Sequence, residues 1–355
     1  MKREGNIWPK IINFTSLLLA AKKAQRGKRY RPEVAAFNFN LEYELCKLQE
    51  ELSTKSYKPG LYRSFQIYEP KERQISAAPY RDRVVHHTLV QALEPIFEKV
   101  FIFDSYACRR GKGTHAAVTR CQYFTRRYKY VLKADIQKFF PSMDHEILKA
   151  LIVRKIKDQE LQWLINLIID NSNKQEEVCN YFPKDDLFTP IQRRIGIPIG
   201  NQTSQFFSNV YLNPLDHFVK DNLGIKGYIR YVDDFLVFSD SKQHLTEVRE
   251  QIKEILVPLR LRLHPKKSTI SLVKNGIRFL GYRVFPDYKL LPKDNVRRFL
   301  RRVRKMQEEY ANHQISFKNV HQRLMSWVGH AINANTYKLR ERLFGRIAFK
   351  RAVKN

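Results

Sequence analysis

The sequence predicts an α+β fold, on three observations. Gly227–Ser239 (GYIRYVDDFLVFS) sets two runs of β-branched and aromatic residues on either side of Asp233-Asp234, which is the pattern of a β-hairpin. Leu41, Leu45, Leu48 and Leu52 recur at helical spacing, as core-facing helices do. The segment from Arg297 to Asn355 holds 15 Lys/Arg against three Glu and no Asp, yet threads Phe299, Leu300 and Val303 between its cations. A one-sided charge excess with its own apolar stripe reads as a basic helical segment.

Composition narrows the function class. The 355 residues leave room for two or three domains and a large core, with 43% hydrophobic residues. Lys and Arg number 65 against 35 Asp and Glu, a formal charge of +30. That excess calls for a polyanionic partner, most simply nucleic acid. A membrane surface is the competing polyanion, but no apolar run approaches the roughly 18 residues of a spanning helix, and Ser16–Ala21 is far shorter. The start MKREGNIWPK lacks an apolar core with a small-residue cleavage site, so no secretory signal and no membrane partner are expected. Cys46, Cys108, Cys121 and Cys179 have no CxxC spacing, which argues against a zinc site or a disulfide framework and for reduced thiols in the cytoplasm.

In chain order, residues 11–60 read as mostly helical, interrupted by KKAQRGKRYR (Lys22–Arg31), six cations in ten residues. Those cations suit either a solvated loop or a nucleic-acid backbone. Residues 61–82 read as a strand pair with a turn at Lys71-Glu72. Arg73 opens its second strand, and Arg81 and Arg83 follow on either side of Asp82. Guanidinium groups grip phosphate oxygens bidentately, so this hairpin suits a triphosphate clamp, although on spacing alone these are ordinary surface cations. A helix is expected over Val84–Val100. Arg109–His115 (RRGKGTH) is a basic glycine-rich loop without Walker spacing, read as a template-backbone contact.

Tyr128–Ala134 is a β-run ending at Asp135, with a helix beginning after Pro141 that Ser142 or Asp144 caps. Ile147–Ile169 continues as helix. In IGIPIG (Ile195–Gly200) glycines flank a stiff Ile-Pro-Ile, so this segment must pass close to a neighbour. Thr203–His217 and His244–Leu256 are helical, Leu259–Lys267 alternates as a strand, and Ile277–Val284 is one more short β-element.

Two adjacent acids between apolar strands repel each other and resist burial, so a cation should face them. Divalent metal is a natural partner, since Mg²⁺ takes hard oxygen ligands and binds substrate phosphates. An Asp-Asp pair alone is more often an ordinary surface turn than a metal site.

Taken together and in this order, the pieces resemble a reverse transcriptase from about Gly27 to about Leu343. Its metal motif is YVDD at Tyr231–Asp234, and the upstream acid is Asp135 in ADIQKFF. The resemblance implies a right-hand polymerase: an N-terminal helical extension over 1–60, fingers over 61–134, a palm with an antiparallel sheet over 135–290, and a basic helical thumb over 291–355. It also implies that Asp135 and Asp233 bridge two Mg²⁺ ions, or Mn²⁺ as a substitute, with the Ile136 carbonyl as a further ligand and Asp234 in support. Two such ions stabilise the attacking and leaving oxygens of a phosphoryl transfer. Phe140, five residues after Asp135, matches the residue that rejects a ribose 2′-hydroxyl by clash. Arg73 matches the fingers arginine on the dNTP, with Arg81 nearby, and Lys267 the lysine that protonates pyrophosphate. Phe279-Leu280-Gly281 resembles the primer grip. Arg297, Arg298, Arg301, Arg302 and Lys305 then lie along the backbone of the RNA–DNA hybrid.

One segment points further. Most reverse transcriptases carry Gln-Gly followed by Ser-Pro where this chain has Ile199-Gly200-Asn201-Gln202-Thr203-Ser204-Gln205. The form IGxxxSQ resembles reverse transcriptases of diversity-generating retroelements, as do RGKRYRPE, EPKERQISA, DRVVHH, SYACRRGKGTHAAV and SWVGHAINANTYKL. That resemblance implies a bacterial or phage-encoded enzyme that copies a template-repeat RNA into cDNA, misincorporating chiefly opposite adenine. It also implies a small basic pentameric accessory protein as partner. Ile199, Gly200 and Gln205 would then lie at the nucleotide, with Ile199 over the nascent base pair. Apolar contact there separates competing bases by only about 1–3 kcal/mol. A group II intron, retron or antiphage reverse transcriptase is the alternative within polymerases. No Val-Thr-Gly retron signature is found late in the palm, and the intron reading wants a maturase extension beyond the thumb. A non-catalytic RNA-binding protein of polymerase shape is the alternative from another class, and it predicts loss of a carboxylate from the set Asp135, Asp233 and Asp234.

Overall fold

The computed structural model describes residues 3–68 and 72–352; Lys71 of the expected Lys71-Glu72 turn lies outside them. The chain forms two compact units. One comprises Met1–Cys108, Ala134–Phe235 and Glu247–Ser268; the other comprises Arg109–Lys133, Leu236–Thr246 and Thr269–Asn355.

The first unit opens with four helices, α1 (Trp8–Ile11), α2 (Phe14–Ala24), α3 (Pro32–Phe39) and α4 (Leu41–Ser53). In α4 the leucine stripe does what its spacing predicts: Leu45, Leu48 and Leu52 are buried. An antiparallel hairpin follows, β1 (Arg63–Ile67) with β2 (Arg73–Ala77), registered so that Ile67 faces Arg73. Helix α5 (Tyr80–Phe97) begins four residues before the expected Val84, directly after Pro79, whose fixed φ suits a helix start. Asp82 therefore sits in the first helical turn, buried, where it accepts from Tyr57 Oη at 2.7 Å and Gly60 N at 2.8 Å. Small residues on α2 (Ala20, Ala21, Ala24) let it pack closely on α5, and Tyr80 Oη donates to Ala21 O at 3.0 Å.

In the second unit, the loop at Arg109–His115 leads into a helix that the sequence reading did not assign, α6 (Thr114–Thr125), entered through Gly113 at φ +111°. Strand β3 (Tyr130–Asp135) then runs from the second unit back into the first. A short helix, α7 (Phe139–Ser142), precedes α8 (His145–Val153), whose N-cap is Asp144, accepting from Ile147 N at 3.1 Å. The stretch Ile147–Ile169 is not one helix. It breaks between α8 and α9 (Gln159–Asp170), because the backbone there pairs with Glu4 instead of continuing the helix: Glu4 N donates to Lys155 O at 2.7 Å and Lys157 N to Glu4 O at 2.8 Å. The chain then passes through α10 (Thr189–Gln192) to α11 (Gln202–His217), which packs on α5 and α8 and ends in a single π turn.

Strands β4 (Tyr228–Tyr231) and β5 (Asp234–Ser239) flank the turn at Val232-Asp233, and α12 (Lys242–Leu256) follows. The sheet order is β4-β5-β3-β6, with β6 (Thr269–Leu272) antiparallel to β3. The expected strand over Leu259–Lys267 is thus displaced. Only Leu263 makes a bridge there, to Ile136, because Arg260 takes φ +52° and Pro265 has no N–H to donate. Ile277–Val284 is two strands rather than one, β7 (Ile277–Phe279) and β8 (Tyr282–Val284), folded about Leu280 and Gly281 at φ +47° and +85°. The three-stranded sheet closes with β9 (Lys289–Leu290).

Helices α13 (Lys293–Ala311), α14 (Phe317–Ala331) and α15 (Tyr337–Phe344) complete the second unit. Phe299, Val303 and Met306 on α13 form a small core, with the Phe299 and Trp327 rings stacked at 3.8 Å. Among the described residues, no helix is long and apolar enough to cross a membrane.

Candidate active site

Asp135 ends β3, where the strand alternation leaves it half-buried after the buried Ala134. Its carbonyl accepts from His264 N at 2.7 Å, and Gln137 N donates to Arg262 O at 2.9 Å, which clamps the end of β3 against the segment leading to Lys267. Asp233 lies 98 positions further on. Its backbone carbonyl accepts from Ile136 N at 3.3 Å, which sets the β4–β5 turn beside the end of β3.

The electrostatics follow from that placement. Burial, and then the charge of Asp135, push the Asp233 carboxyl up to about 6, against the opposing pull of Lys267 and Arg73. Lys267 Nζ is ion-paired with Asp135 Oδ2. Arg73, exposed at the start of β2, projects its charge onto Asp233. Four residues named from the sequence (Asp135, Asp233, Lys267 and Arg73) therefore share one electrostatic neighbourhood within the first unit. Asp234 opens β5, partly buried.

The residues expected from the sequence at a nucleotide are distributed more widely. Phe139 is buried and packs edge-on against Tyr211, whereas Phe140 is partly exposed, and its carbonyl receives Ile197 N at 3.0 Å. Ile199 is partly buried, and its carbonyl accepts from Ser76 N of β2 at 2.9 Å. A Cβ on Gly200, at φ +125°, would sit 2.9 Å from Ile75 Cγ2, so the close approach expected of the IGIPIG glycines is made against β2. Gln205 is exposed on α11. Arg81 is elsewhere: its guanidinium is ion-paired with Glu51 of α4 and lies over the Tyr57 ring, 5.5 Å from the centroid.

In the second unit, Phe279 is buried, while Leu280 and Gly281 form the β7–β8 turn. Arg297, Arg301, Arg302 and Lys305 are exposed along α13, and Arg298 pairs with Asp294 at 3.6 Å.

Three residues that build the site were not singled out from the sequence. Asn201, buried, accepts from Ala78 N at 3.1 Å and donates to Ser76 O at 3.0 Å, lashing the Ile199–Gly200 segment to β2. Arg230 and Asp216 form a buried ion pair beneath the Val232-Asp233 turn. A signal was present for Arg230. An arginine inside an apolar strand must find a charge partner, because a lone buried cation is too costly.

The family Reverse transcriptase (RNA-dependent DNA polymerase) matches residues 58–284, which include Asp135, Asp233, Asp234 and Lys267. The chain belongs to the reverse transcriptase family. By family it is an RNA-directed DNA polymerase, a class that works on template RNA and nucleotide substrates with divalent metal ions. Among known proteins, the reverse transcriptase is similar to protein YkfC of Escherichia coli (strain K12), at 27% identity over 288 residues covering 69% of this chain and 72% of that protein. It is similar at 22% identity to the group II intron-encoded protein LtrA of Lactococcus lactis subsp. cremoris, over 68% of this chain and 50% of LtrA. The putative COX1/OXI3 intron 2 protein of Saccharomyces cerevisiae (strain ATCC 204508 / S288c) is 21% identical over 80% of this chain and 39% of its own length. The chain thus covers half or less of both intron-encoded relatives.

Among the described residues, no group of three or more His, Cys, Asp or Glu side chains stands in a metal-ligating arrangement. The site nevertheless fits a divalent cation. Its donors are hard oxygens, and Asp233, whose carboxyl is raised first by burial, also lies within the field of the Asp135 carboxylate.

Proposed function

We propose that this reverse transcriptase copies a template-repeat RNA into cDNA, with errors concentrated opposite adenine, so as to diversify a target gene. The observation that carries the polymerase reading is the convergence of Asp135 at the end of β3, Asp233 in the β4–β5 turn and Lys267 just before β6. The diversifying reading rests on the Ile199–Gln205 segment.

In this reading Asp135, Asp233 and the Ile136 carbonyl hold two Mg²⁺ ions, with Asp234 in support. Bound there, the metal supplies charge stabilisation to the oxygens that exchange on the α-phosphorus. The chain's own groups do the rest. Arg73 grips the triphosphate as a bidentate donor. Phe140 presents its ring where a ribose 2′-hydroxyl would clash. Lys267 holds a proton on Nζ and gives it to the departing pyrophosphate. Phe279, Leu280 and Gly281 support the primer end, and Arg297, Arg298, Arg301, Arg302 and Lys305 follow the duplex backbone, where each cation releases counterions.

Ile199 is the specificity element. Its carbonyl bond to Ser76, together with the contact of Gly200 on Ile75, ties position 199 to the hairpin that carries Arg73. An isoleucine in that wall offers packing but no hydrogen bond to the base pair or its neighbours. Wrong nucleotides are then rejected by shape alone, a weak sieve. A small basic pentameric accessory protein completes the reading as partner.

The similarity to LtrA and to the yeast intron protein favours a second reading, a group II intron-like reverse transcriptase without a diversifying role. Primer extension on a defined RNA, followed by cDNA sequencing, separates the two. Metal-dependent incorporation that Asp233→Asn abolishes supports polymerase activity. Errors spread evenly over all four template bases would overturn the diversifying reading and leave the intron-like one.

A further inference from the structure

Below the turn that carries Asp233, the structure holds a charged assembly buried in an otherwise apolar layer. Arg230 of β4 and Asp216 of α11 are both fully enclosed. The guanidinium meets the carboxylate side-on, Nε to Oδ1 at 2.7 Å and Nη2 to Oδ2 at 2.6 Å, while Tyr228 Oη donates to the same Oδ1 at 2.9 Å. The remaining nitrogen, Nη1, donates to Asn209 Oδ1 at 3.2 Å and to the backbone carbonyl of Val232 at 3.0 Å. The backbone of Arg230 is itself fixed, its N–H to Asp104 O at 3.0 Å and its carbonyl to Tyr106 N at 2.9 Å.

The last side-chain bond is the informative one. Val232 has φ +56°, a left-handed conformation that β-branched residues rarely adopt. Left to local preference, this residue would leave that region and swing the following peptide away. That peptide carries Asp233, whose carbonyl is registered on Ile136 N. A bond from a rigid, planar, permanently charged donor to the Val232 carbonyl opposes the swing. Stability alone explains the arrangement poorly, because well-packed apolar residues often replace a buried ion pair without loss.

We propose that Arg230 is a positioning residue for polymerisation: locked by Asp216, it holds the Val232 carbonyl and so aims the Asp233 carboxylate at Asp135. This rests on the reading of Asp233 as a metal-holding acid. Asp216 and Asn209 belong to α11, the helix that begins just after Ile199-Gly200. One helix thus anchors both the acid turn and the nucleotide-side segment.

The test uses the full chain with Arg230→Lys, which keeps a cation for Asp216 but cannot also reach Val232 in the same geometry. Single-nucleotide extension on a preformed RNA–DNA duplex gives kcat and KM. Duplex Kd, thermal midpoint and Mn²⁺ binding without nucleotide, followed by paramagnetic resonance, are measured alongside. The expected result is a fall in kcat of about 10- to 100-fold, the scale of a misplaced reacting group. Mn²⁺ binding weakens with it, and duplex Kd stays at the wild-type value. Should Arg230→Lys not fold, Asp216→Asn leaves the guanidinium present but loosened, and should show the same split between kcat and duplex Kd. Wild-type kcat and Mn²⁺ binding in the folded variants overturn the positioning role while leaving the polymerase reading intact. So does a kcat loss matched by lost duplex affinity. A wild-type chain without metal-dependent incorporation overturns both.

Discussion

The Cβ that Gly200 lacks would stand 2.9 Å from Cγ2 of Ile75 and 3.4 Å from the carbonyl oxygen of Ser76, on a backbone at φ +125°. Space and dihedral both demand glycine at this point. Gly200→Ala must move the segment off β2, breaking the Ser76–Ile199 bond, at a cost of about 1–3 kcal/mol. The variant is expected to lower the thermal midpoint and to raise KM for dNTP, since Ile199 and Arg73 share that wall. Wild-type values of both in melting and steady-state extension would contradict this.

Ile199→Gln should lower misincorporation opposite template adenine. Glutamine would supply a hydrogen-bonding side chain where, in the proposed function, isoleucine discriminates by packing alone, and hydrogen-bonding sites reject ill-matched partners more strongly than apolar ones. The measurement is the error spectrum of cDNA made on an adenine-rich RNA by each enzyme. An unchanged spectrum would remove Ile199 as the source of infidelity.

Lys267 pairs with Asp135, and in the proposed function it gives a proton to pyrophosphate. Lys267→Ala should reduce kcat by about 10²- to 10⁴-fold, the usual contribution of a general acid. Lys267→Arg should keep the ion pair with Asp135 but lose most of the rate, because a guanidinium does not release its proton. Equal rates for the arginine variant and the wild type would reduce the role to charge alone.

His86, buried on α5, is pushed down to about 3 by burial and then by the neighbouring charges of His87 and Arg83. The unfolded chain protonates near 6.5 and the folded one only near 3, so the unfolded state binds more protons across that window. Stability is therefore complete above pH 6.5 and falls as the pH drops toward 3. From pH 7 to pH 5 this one imidazole should cost about 2 kcal/mol. His86→Gln should flatten the fall in thermal midpoint over that range. A slope identical to wild type would assign the acid sensitivity to other groups.

Much of the local structure was legible in the sequence because it is written in short-range periodicity. The α4 leucines, the β1–β2 strand pair, and the amphipathic stripe of α13 each follow from neighbours within a few residues. The misreadings share a different cause. The expected helix Ile147–Ile169 breaks because the backbone at Lys155 and Lys157 bonds to Glu4, near the start of the chain, a pairing that no local window contains. The expected strand Leu259–Lys267 and the undivided element Ile277–Val284 failed at backbone angles, φ +52° at Arg260 and +47° at Leu280, that are unusual for residues with side chains. Arg81 looked as eligible for a phosphate as Arg73, and tertiary packing gave it to Glu51.

The residues by themselves determined the chemistry on offer: carboxylates set in apolar strands, an excess of 30 positive charges, and a glycine–isoleucine segment that had to press against a neighbour. Only the folded chain decided which of Phe139 and Phe140 is buried, which arginine faces the acids, and that Asp135 and Asp233 share one field across 98 intervening positions. Periodicity is a property of adjacent residues, whereas the free energy of bringing like charges together depends on pairing between distant strands and on buried partners such as Arg230.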